Sequence, residues 1–417
     1  MPFIEIKGER PLHGEVDIQG SKNTVLPILA ATLLVRGISK IHKCPKIRDV
    51  LHMIKILEEM GCSIVWEGST VIVDTTSLNT TVVPVELAKS MRSSIILLGA
   101  LLGREKEATI SYPGGCAIGY RAIDFHLNAM QMLGAIIEDE DELIKGHTTG
   151  IVGTEITFEG SSVGATQNTI LAAVLGEGIT YIKNAAREPE VIHLCKFLNA
   201  AGAMIQGAGT GEIVIKGVDR LYDTEYTNVP DRIVAGTLMA AVLGTGGSVV
   251  INGTDGSDLG EVIHVLRAIG QTIIVKDYTI LVSSYMRPKP IPYIETRPYP
   301  GFPTDMQSQI LSVLMKADGT SRVKETIFND RFHNVKEQIK FGGSITVEDN
   351  MAIIDGVPKL KASEVYASEL RGGAALVIAG LMAEGRTKIY NPHFIERGYE
   401  DICRDFRNLG ADIRYHD

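Results

Sequence analysis

The residues best suited to chemistry lie in a few short stretches. Cys116 stands in YPGGCAIGYRAIDFH, with two glycines before it, Gly119 close behind and Arg121 five residues on. A cation near a thiol favours the thiolate, so a cysteine in such a turn can act as an acid or a nucleophile. The alternative is an inert turn cysteine, the small hydrophobe that cysteine usually is. Lys22, in IQGSKNTVLPILAATLL, opens a strongly apolar run. A helix start presents free backbone N–H groups, and a lysine there strengthens binding of a phosphate or carboxylate. A solvated lysine at a helix end is the plain alternative. The Walker spacing GxxxxGK[ST] is absent, so this is not a nucleoside-triphosphate loop.

Arg92, in KSMRSSIILLG, precedes a second apolar run in the place that Lys22 holds in the first. Arg371, in ELRGGAALV, does so before the sixth, and Arg331 (NDRFHNV) and Arg397 (FIERGYED) add two more cations. Taken alone, Arg92 reads equally as a surface residue or an anion contact, and Arg331, Arg371 and Arg397 read first as surface or salt-bridge residues. Together with Arg121 they form a recurring pattern on a chain of net charge −9. That pattern points to a substrate with several negative charges, such as phosphates plus a carboxylate. In RPYPGFPTDMQSQILSVL, prolines 298, 300 and 303 stiffen the approach to another apolar run. There Thr304 or Asp305 fits a helix N-cap, and a carboxylate at a pocket mouth can instead serve as a general base.

The elements that must position these residues repeat. EEMGCSIV, QMLGAIIE, NAAGAMIQ, RAIGQTII, KFGGSITV and RNLGADIR share one signature, and their glycines (61, 134, 202, 270, 342 and 410) are separated by 73, 68, 68, 72 and 68 residues. The chain therefore reads as six units of about 70 residues. A second signature, an apolar run ending in glycine before an alternating strand, keeps the same rhythm: LAATLLVRGISKIHKCP, ILAAVLGEGITYIKNAA, LMAAVLGTGGSVVINGT, LSVLMKADGTSRVKETI and LVIAGLMAEGRTKIYNP. The remaining copy, IILLGALLGREKEATISYPGG, carries a longer charged connection. Such runs are too uniformly apolar for a surface helix and should be buried, with each glycine at the left-handed position after the helix. TYIKN and SVVIN, rich in β-branched residues, should be strands. VIHLCKFLNAAG should be an amphipathic helix with Val191, Leu194, Cys195 and Leu198 on one stripe. Each unit then holds two helices and about four short strands.

Composition narrows the function. Of 417 residues, 45% are hydrophobic and 22% charged, as in an ordinary globular protein with real cores. Aromatic residues are 6% with one Trp, and the chain is acidic, so a nucleic-acid partner is not expected. The five cysteines (44, 62, 116, 195 and 403) are scattered with no CxxC pair or zinc spacing, so free thiols in a reducing cytoplasm and no metal are expected. The opening MPFIEIKGERPLHG has charges among its first seven residues and no apolar core, so no signal peptide is expected. No apolar run of about 18 residues is present to span a membrane. Oligomeric state stays open.

The stretches GSKNTVLPILAATLL, PGGCAIGYRAIDFHL, SVGATQNTILAA, NAAREPEV, VPDRIVAGT, PGFPTDMQSQ, NDRFHNV, ELRGGAALVIAGLMAEG and IERGYEDI span nearly the whole chain and carry a resemblance. The sequence resembles the UDP-N-acetylglucosamine 1-carboxyvinyltransferases. That resemblance implies an α/β fold, a two-domain inside-out α/β barrel in which each domain has three repeated α/β units. The domains would be residues 21–229 and residues 1–20 plus 230–417. It implies transfer of enolpyruvate from phosphoenolpyruvate to the 3′-hydroxyl of UDP-N-acetylglucosamine through a tetrahedral ketal, the first committed step of peptidoglycan synthesis, with no cofactor. Cys116 would supply a proton and form a covalent adduct, including one with fosfomycin, and Asp305 would be the general base. Lys22, Arg121 and Arg397 would bind phosphoenolpyruvate. Asn23 and Arg92 would line the sugar-nucleotide site, with Arg331 and Arg371 in the cationic cluster. Arg121, Ala122, Ile123, Asp124 and Phe125, with Ser162, Val163 and Gly164, would hold the uridine diphosphate, and Ile327 would touch the nucleotide sugar. Four positions depart from the family pattern: Glu369 for Asp, Gly160 for Lys, Ala122 for Pro and Tyr299 for His. Other readings are a diverged paralogue that binds the sugar nucleotide and regulates a partner, and the sister transferase acting on shikimate 3-phosphate, which lacks the cysteine loop.

Overall fold

The computed structural model describes residues 1–114, 123–140 and 142–417. Cys116, Arg121 and Ala122 lie outside the described residues. The chain divides into two compact units: domain A, residues 20–114 and 123–229, and domain B, residues 1–19 and 230–417. Each has its own hydrophobic core.

In domain A the helices are α1 (Lys22–Thr32), α2 (Arg48–Glu59), the short α3 (Val85–Ser90), α4 (Ile96–Glu105), α5 (Asp124–Met132), α6 (Val163–Ala173) and α7 (Pro189–Ala200). Domain B adds α8 (Arg232–Thr245), α9 (Gly260–Ile269), α10 (Gln307–Leu314), the one-turn α11 (Val335–Gln338), α12 (Leu370–Met382) and α13 (Ile402–Asn408). The apolar runs become α1, α4, α6, α8, α10 and α12. They show almost no solvent face, and all thirteen residues of α12 are buried. A helix apolar all round must lie inside, and these six do. The amphipathic helices cover them, and on α7 Val191, Leu194, Cys195 and Leu198 all point inward. No described helix is long and apolar enough to cross a membrane.

The strands form the outer layer of each unit in one recurring order. Ile38–His42 pairs antiparallel with Thr70–Asp74, which pairs antiparallel with Ser63–Glu67, while Thr224–Thr227 adds a parallel edge on the other side. Alternate side chains face the helices, so burial along Thr70–Asp74 alternates. Four further sheets repeat this order, and a three-stranded sheet keeps it with a single bridge, Val82 to Thr109, in place of the parallel strand. In domain B, Phe3–Lys7 sits between Arg386–Tyr390 and Asp412–His416, and Leu12–Asp17 runs parallel to Gly247–Asn252. The start and the end of the chain thus share one sheet.

The six repeat glycines all take positive φ, between 83° and 113°, where a side chain would be strained. The glycines after the buried helices behave differently from the expectation. Only Gly246 directly ends its helix, whereas Gly178, Gly319 and Gly385 turn the chain one residue before a strand. Gly37 has no positive φ. Its constraint is room, since a Cβ would lie 2.0 Å from Asp223 Oδ1.

Four buried helices have side-chain caps: Ser21 on α1, Ser162 on α6, Asp231 on α8 and Glu369 on α12. The other two, α4 and α10, are entered through 3-10 turns, Arg92–Ile95 and Thr304–Met306, with no side-chain cap. Those two turns carry Arg92 and Asp305.

Candidate active site

In domain A the expected ligand residues that are described fall at or just before helix starts. The Ser21 hydroxyl accepts from Thr24 N–H at 3.3 Å, so Lys22 and Asn23 are the first two residues of α1. Lys22 is not a solvated lysine. It is buried, and its Nζ lies 2.7 Å from Asp49 Oδ2, itself buried in the first turn of α2. Removing two charges from water is costly, and their attraction offsets much of that cost, so Asp49 sets where the ammonium points. Ser162 caps α6 by accepting from Ala165 N–H at 3.3 Å, which places Val163 and Gly164 in its first turn. Ile123 leads into α5, which begins with Asp124 and Phe125. These two stretches meet. Phe125 and Phe158 have ring centroids 5.9 Å apart, and a Cβ on Gly164 would come within 3.0 Å of His126 Cε1.

His126 was not singled out by sequence, yet it sits at the junction. Asn168 on α6 accepts from Gly99 N–H at 2.7 Å through Oδ1, which fixes the orientation of its amide. Its Nδ2 then donates to the Ile95 carbonyl and to His126 Nδ1, both at 3.0 Å. Nδ1 is thus an acceptor, and the neutral ring carries its proton on Nε2, toward Gly164. Burial, and after it the charge of Arg92, pushes the His126 pKa down to about 3. Asn168 therefore joins the Arg92 turn, α5 and α6 around one uncharged imidazole.

In domain B, Asp305 is not a cap. Its Oδ2 accepts from Arg371 Nη2 at 2.9 Å and its Oδ1 from Arg331 Nη2 at 3.3 Å. The Thr304 carbonyl accepts from Arg331 Nε and Nη2 at 3.3 and 3.2 Å. The Thr304 hydroxyl is turned away from the helix and donates to Glu325. Arg371 is the second residue of α12 rather than a residue before it, one place deeper than Lys22 in α1. Burial opposes its charge, but Asp305, Tyr399 and Asp231 outweigh burial and raise its pKa further. Its Nη1 is buried without a hydrogen-bond partner among the described residues, in a neighbourhood that also holds Tyr399 and Asp231. Arg397 ends the 3-10 turn Pro392–Arg397, which packs on the start of α12 through Ile395 and Gly398. Ile327 lies just beyond the strand Thr320–Lys324, its N–H held by Glu325. Domain B thus brings Asp305, Arg331 and Arg371 into direct contact.

Residues 6–406 match the family model of EPSP synthase (3-phosphoshikimate 1-carboxyvinyltransferase). The chain is 47% identical to UDP-N-acetylglucosamine 1-carboxyvinyltransferase 2 of Caldanaerobacter subterraneus subsp. tengcongensis, with 99% of each chain covered. The chain belongs to the UDP-N-acetylglucosamine 1-carboxyvinyltransferase family. Among solved structures it is similar to the enolpyruvyl transferase NikO from Streptomyces tendae, with TM-score 0.89, 25% identity and coverage of 99% and 98%. EPSP synthase from Acinetobacter baumannii shares the fold, with TM-score 0.78 at 16% identity and full coverage of both chains.

Three departures from the pattern of this carboxyvinyltransferase family have structural consequences. Glu369, one methylene longer than the usual Asp, still caps α12 by accepting from Arg371 N–H at 2.7 Å and from Gly372 N–H, while Arg331 Nη1 lies 3.8 Å from its Oε2. Gly160 stands beside the Phe125 ring, and a Cβ there would lie 3.7 Å from Phe125 Cε2, an ordinary contact. A Cβ at position 160 therefore meets no clash. Tyr299 stacks under Arg232, whose Cζ is 5.9 Å from the ring centroid.

Proposed function

We propose that this protein transfers the enolpyruvyl group of phosphoenolpyruvate to the 3′-hydroxyl of UDP-N-acetylglucosamine in the cytoplasm, releasing phosphate. The observation that carries the reading is the Asp305 carboxylate held between Arg331 and Arg371. A carboxylate spent on a helix cap would not be available to a hydroxyl, and this one is not so spent.

In the proposed reaction Asp305 receives the hydroxyl proton while the hydroxyl oxygen bonds to C2 of phosphoenolpyruvate. Cys116 gives a proton to C3, producing the tetrahedral ketal. The C2–O bond to phosphate then breaks while the Cys116 thiolate takes a proton back from C3, restoring the double bond, and Asp305 gives up its proton to the departing phosphate. Lys22, Arg121 and Arg397 bind the phosphate and carboxylate, with Arg331 and Arg371 completing the positive field. Asn23, Arg92, Ala122, Ile123, Asp124, Phe125, Ser162, Val163, Gly164 and Ile327 hold the sugar nucleotide. Helix starts at Lys22 and at Val163 suit anionic groups. The identity of 47% to a UDP-N-acetylglucosamine transferase favours this acceptor over shikimate 3-phosphate.

The test is phosphate release from phosphoenolpyruvate, with and without UDP-N-acetylglucosamine. Wild type should turn over only with the sugar nucleotide, and Asp305→Asn should lower kcat about 100-fold or more. Tight nucleotide binding without phosphate release would instead support a regulatory paralogue.

A further inference from the structure

Glu325 follows the strand Thr320–Lys324 and is 1% exposed. A buried carboxylate is costly unless it is fully hydrogen-bonded. This one has no ion pair among the described residues and rests on three neutral donors. Thr304 Oγ1 donates to Oε2 at 2.9 Å, and the N–H groups of Ile327 and Phe328 donate to Oε1 at 2.7 and 3.1 Å. Its own N–H is held by the Asn350 carbonyl at 2.8 Å, so the backbone under it is anchored to the sheet.

The two ends of this set have different roles. Thr304 immediately precedes Asp305, and its carbonyl is gripped by Arg331. The hydroxyl bond to Glu325 and the carbonyl bonds to Arg331 together fix the turn from which the Asp305 side chain projects. Ile327 lies on a separate loop with no helix or strand of its own to hold it.

We propose that Glu325 is a positioning residue that locks the Asp305 turn to the Ile327 loop, so that proposed base and sugar-nucleotide contact share one register. The inference rests on the enolpyruvyl-transfer reading and adds a residue that touches no substrate. A single buried acceptor thus joins two segments about twenty residues apart in sequence.

Three variants separate the two links. Glu325→Ala removes both. Thr304→Val removes only the link toward Asp305. In Glu325→Gln the amide oxygen keeps the Ile327 and Phe328 bonds, and the amide nitrogen donates to the Thr304 hydroxyl, which can accept as well as donate. Glu325→Ala should raise KM for UDP-N-acetylglucosamine about tenfold and lower kcat about tenfold, leaving KM for phosphoenolpyruvate within about twofold. Thr304→Val should lower kcat about tenfold with both KM values within about twofold, and Glu325→Gln should stay within about threefold of wild type. Equal damage in Glu325→Ala and Glu325→Gln, or a wild-type Glu325→Ala, would overturn the proposal. Hydrogen exchange keeps it distinct from the reaction itself. If wild type releases no phosphate, the transfer reading fails. Amides 327 and 328 exchanging at least about tenfold faster in Glu325→Ala would still support the lock, and unchanged exchange would refute it.

Discussion

Acid should unfold domain A through His126. The imidazole is neutral and buried, its pKa lowered to about 3 by burial and then by Arg92. In the unfolded chain the same group titrates near about 6.5. Below that pH the unfolded state binds a proton that the folded state refuses, so stability falls as pH falls, and the loss continues down to the folded value. Each pH unit in that window removes up to about 1.4 kcal/mol. Between pH 6.5 and 4.5 the loss is about 2–3 kcal/mol, a large part of the roughly 5–15 kcal/mol that holds a domain together. His193, pushed down to about 4 by burial and then by Lys196, contributes in the same direction, so the wild-type slope alone is not diagnostic. His126→Gln isolates the effect, because a glutamine oxygen can accept from Asn168 Nδ2 yet binds no proton in this range. Urea unfolding from pH 7.5 to 4.5 should show the variant offset at neutral pH but with a shallower slope, the curves converging by about 2–3 kcal/mol at pH 4.5. Parallel curves would mean that the imidazole is not held neutral and that the Asn168 assignment is wrong.

Thiol chemistry should be confined to Cys116. Burial pushes Cys62 up to about 11 and Cys195 and Cys403 up to about 12, and Cys44 is buried as well. At pH 7.5 the thiolate fraction of those three with raised pKa is below about one in a thousand, so fosfomycin or iodoacetamide on native protein should mark a single peptide, read by mass spectrometry, and Cys116→Ser should abolish the label. Asp49→Asn should destabilise domain A by about 3 kcal/mol because Lys22 loses its buried counter-charge; a urea midpoint unchanged from wild type would show that the pair carries little. Gly160→Lys should tighten UDP-N-acetylglucosamine binding about three- to tenfold by calorimetry, since the site has room for a Cβ and a cation there would meet the diphosphate; no gain at low salt would place the diphosphate elsewhere.

Much of the architecture is written locally. Six glycines at a spacing near 70 residues mark six positive-φ helix ends, because only a residue without a side chain takes that conformation freely. Runs such as LRGGAALVIAGLM lack any polar face, and burial of the whole of α12 follows from that alone. Lys22 at the first residue of α1 is equally local, since Ser21 and the apolar run define where the helix begins. The glycines of the second signature fall at strand entrances more often than at helix ends, and the two positions look alike in sequence.

The site was decided by distance in space. Lys22 and Asp49 are 27 residues apart, and nothing near either residue reveals that they meet. Thr304 and Asp305 are as good a cap as Ser21 by residue type, yet the 3-10 turn leaves the Thr304 hydroxyl on Glu325 and the Asp305 carboxylate on Arg331 and Arg371. The neutrality of His126 depends on the surrounding burial and on an Asn168 amide oriented by Gly99. Composition and periodicity set which residues are helical, buried or charged, because those properties depend on near neighbours. Which charges neutralise one another, and which remain for a substrate, depends on contacts between segments that only the folded chain brings together.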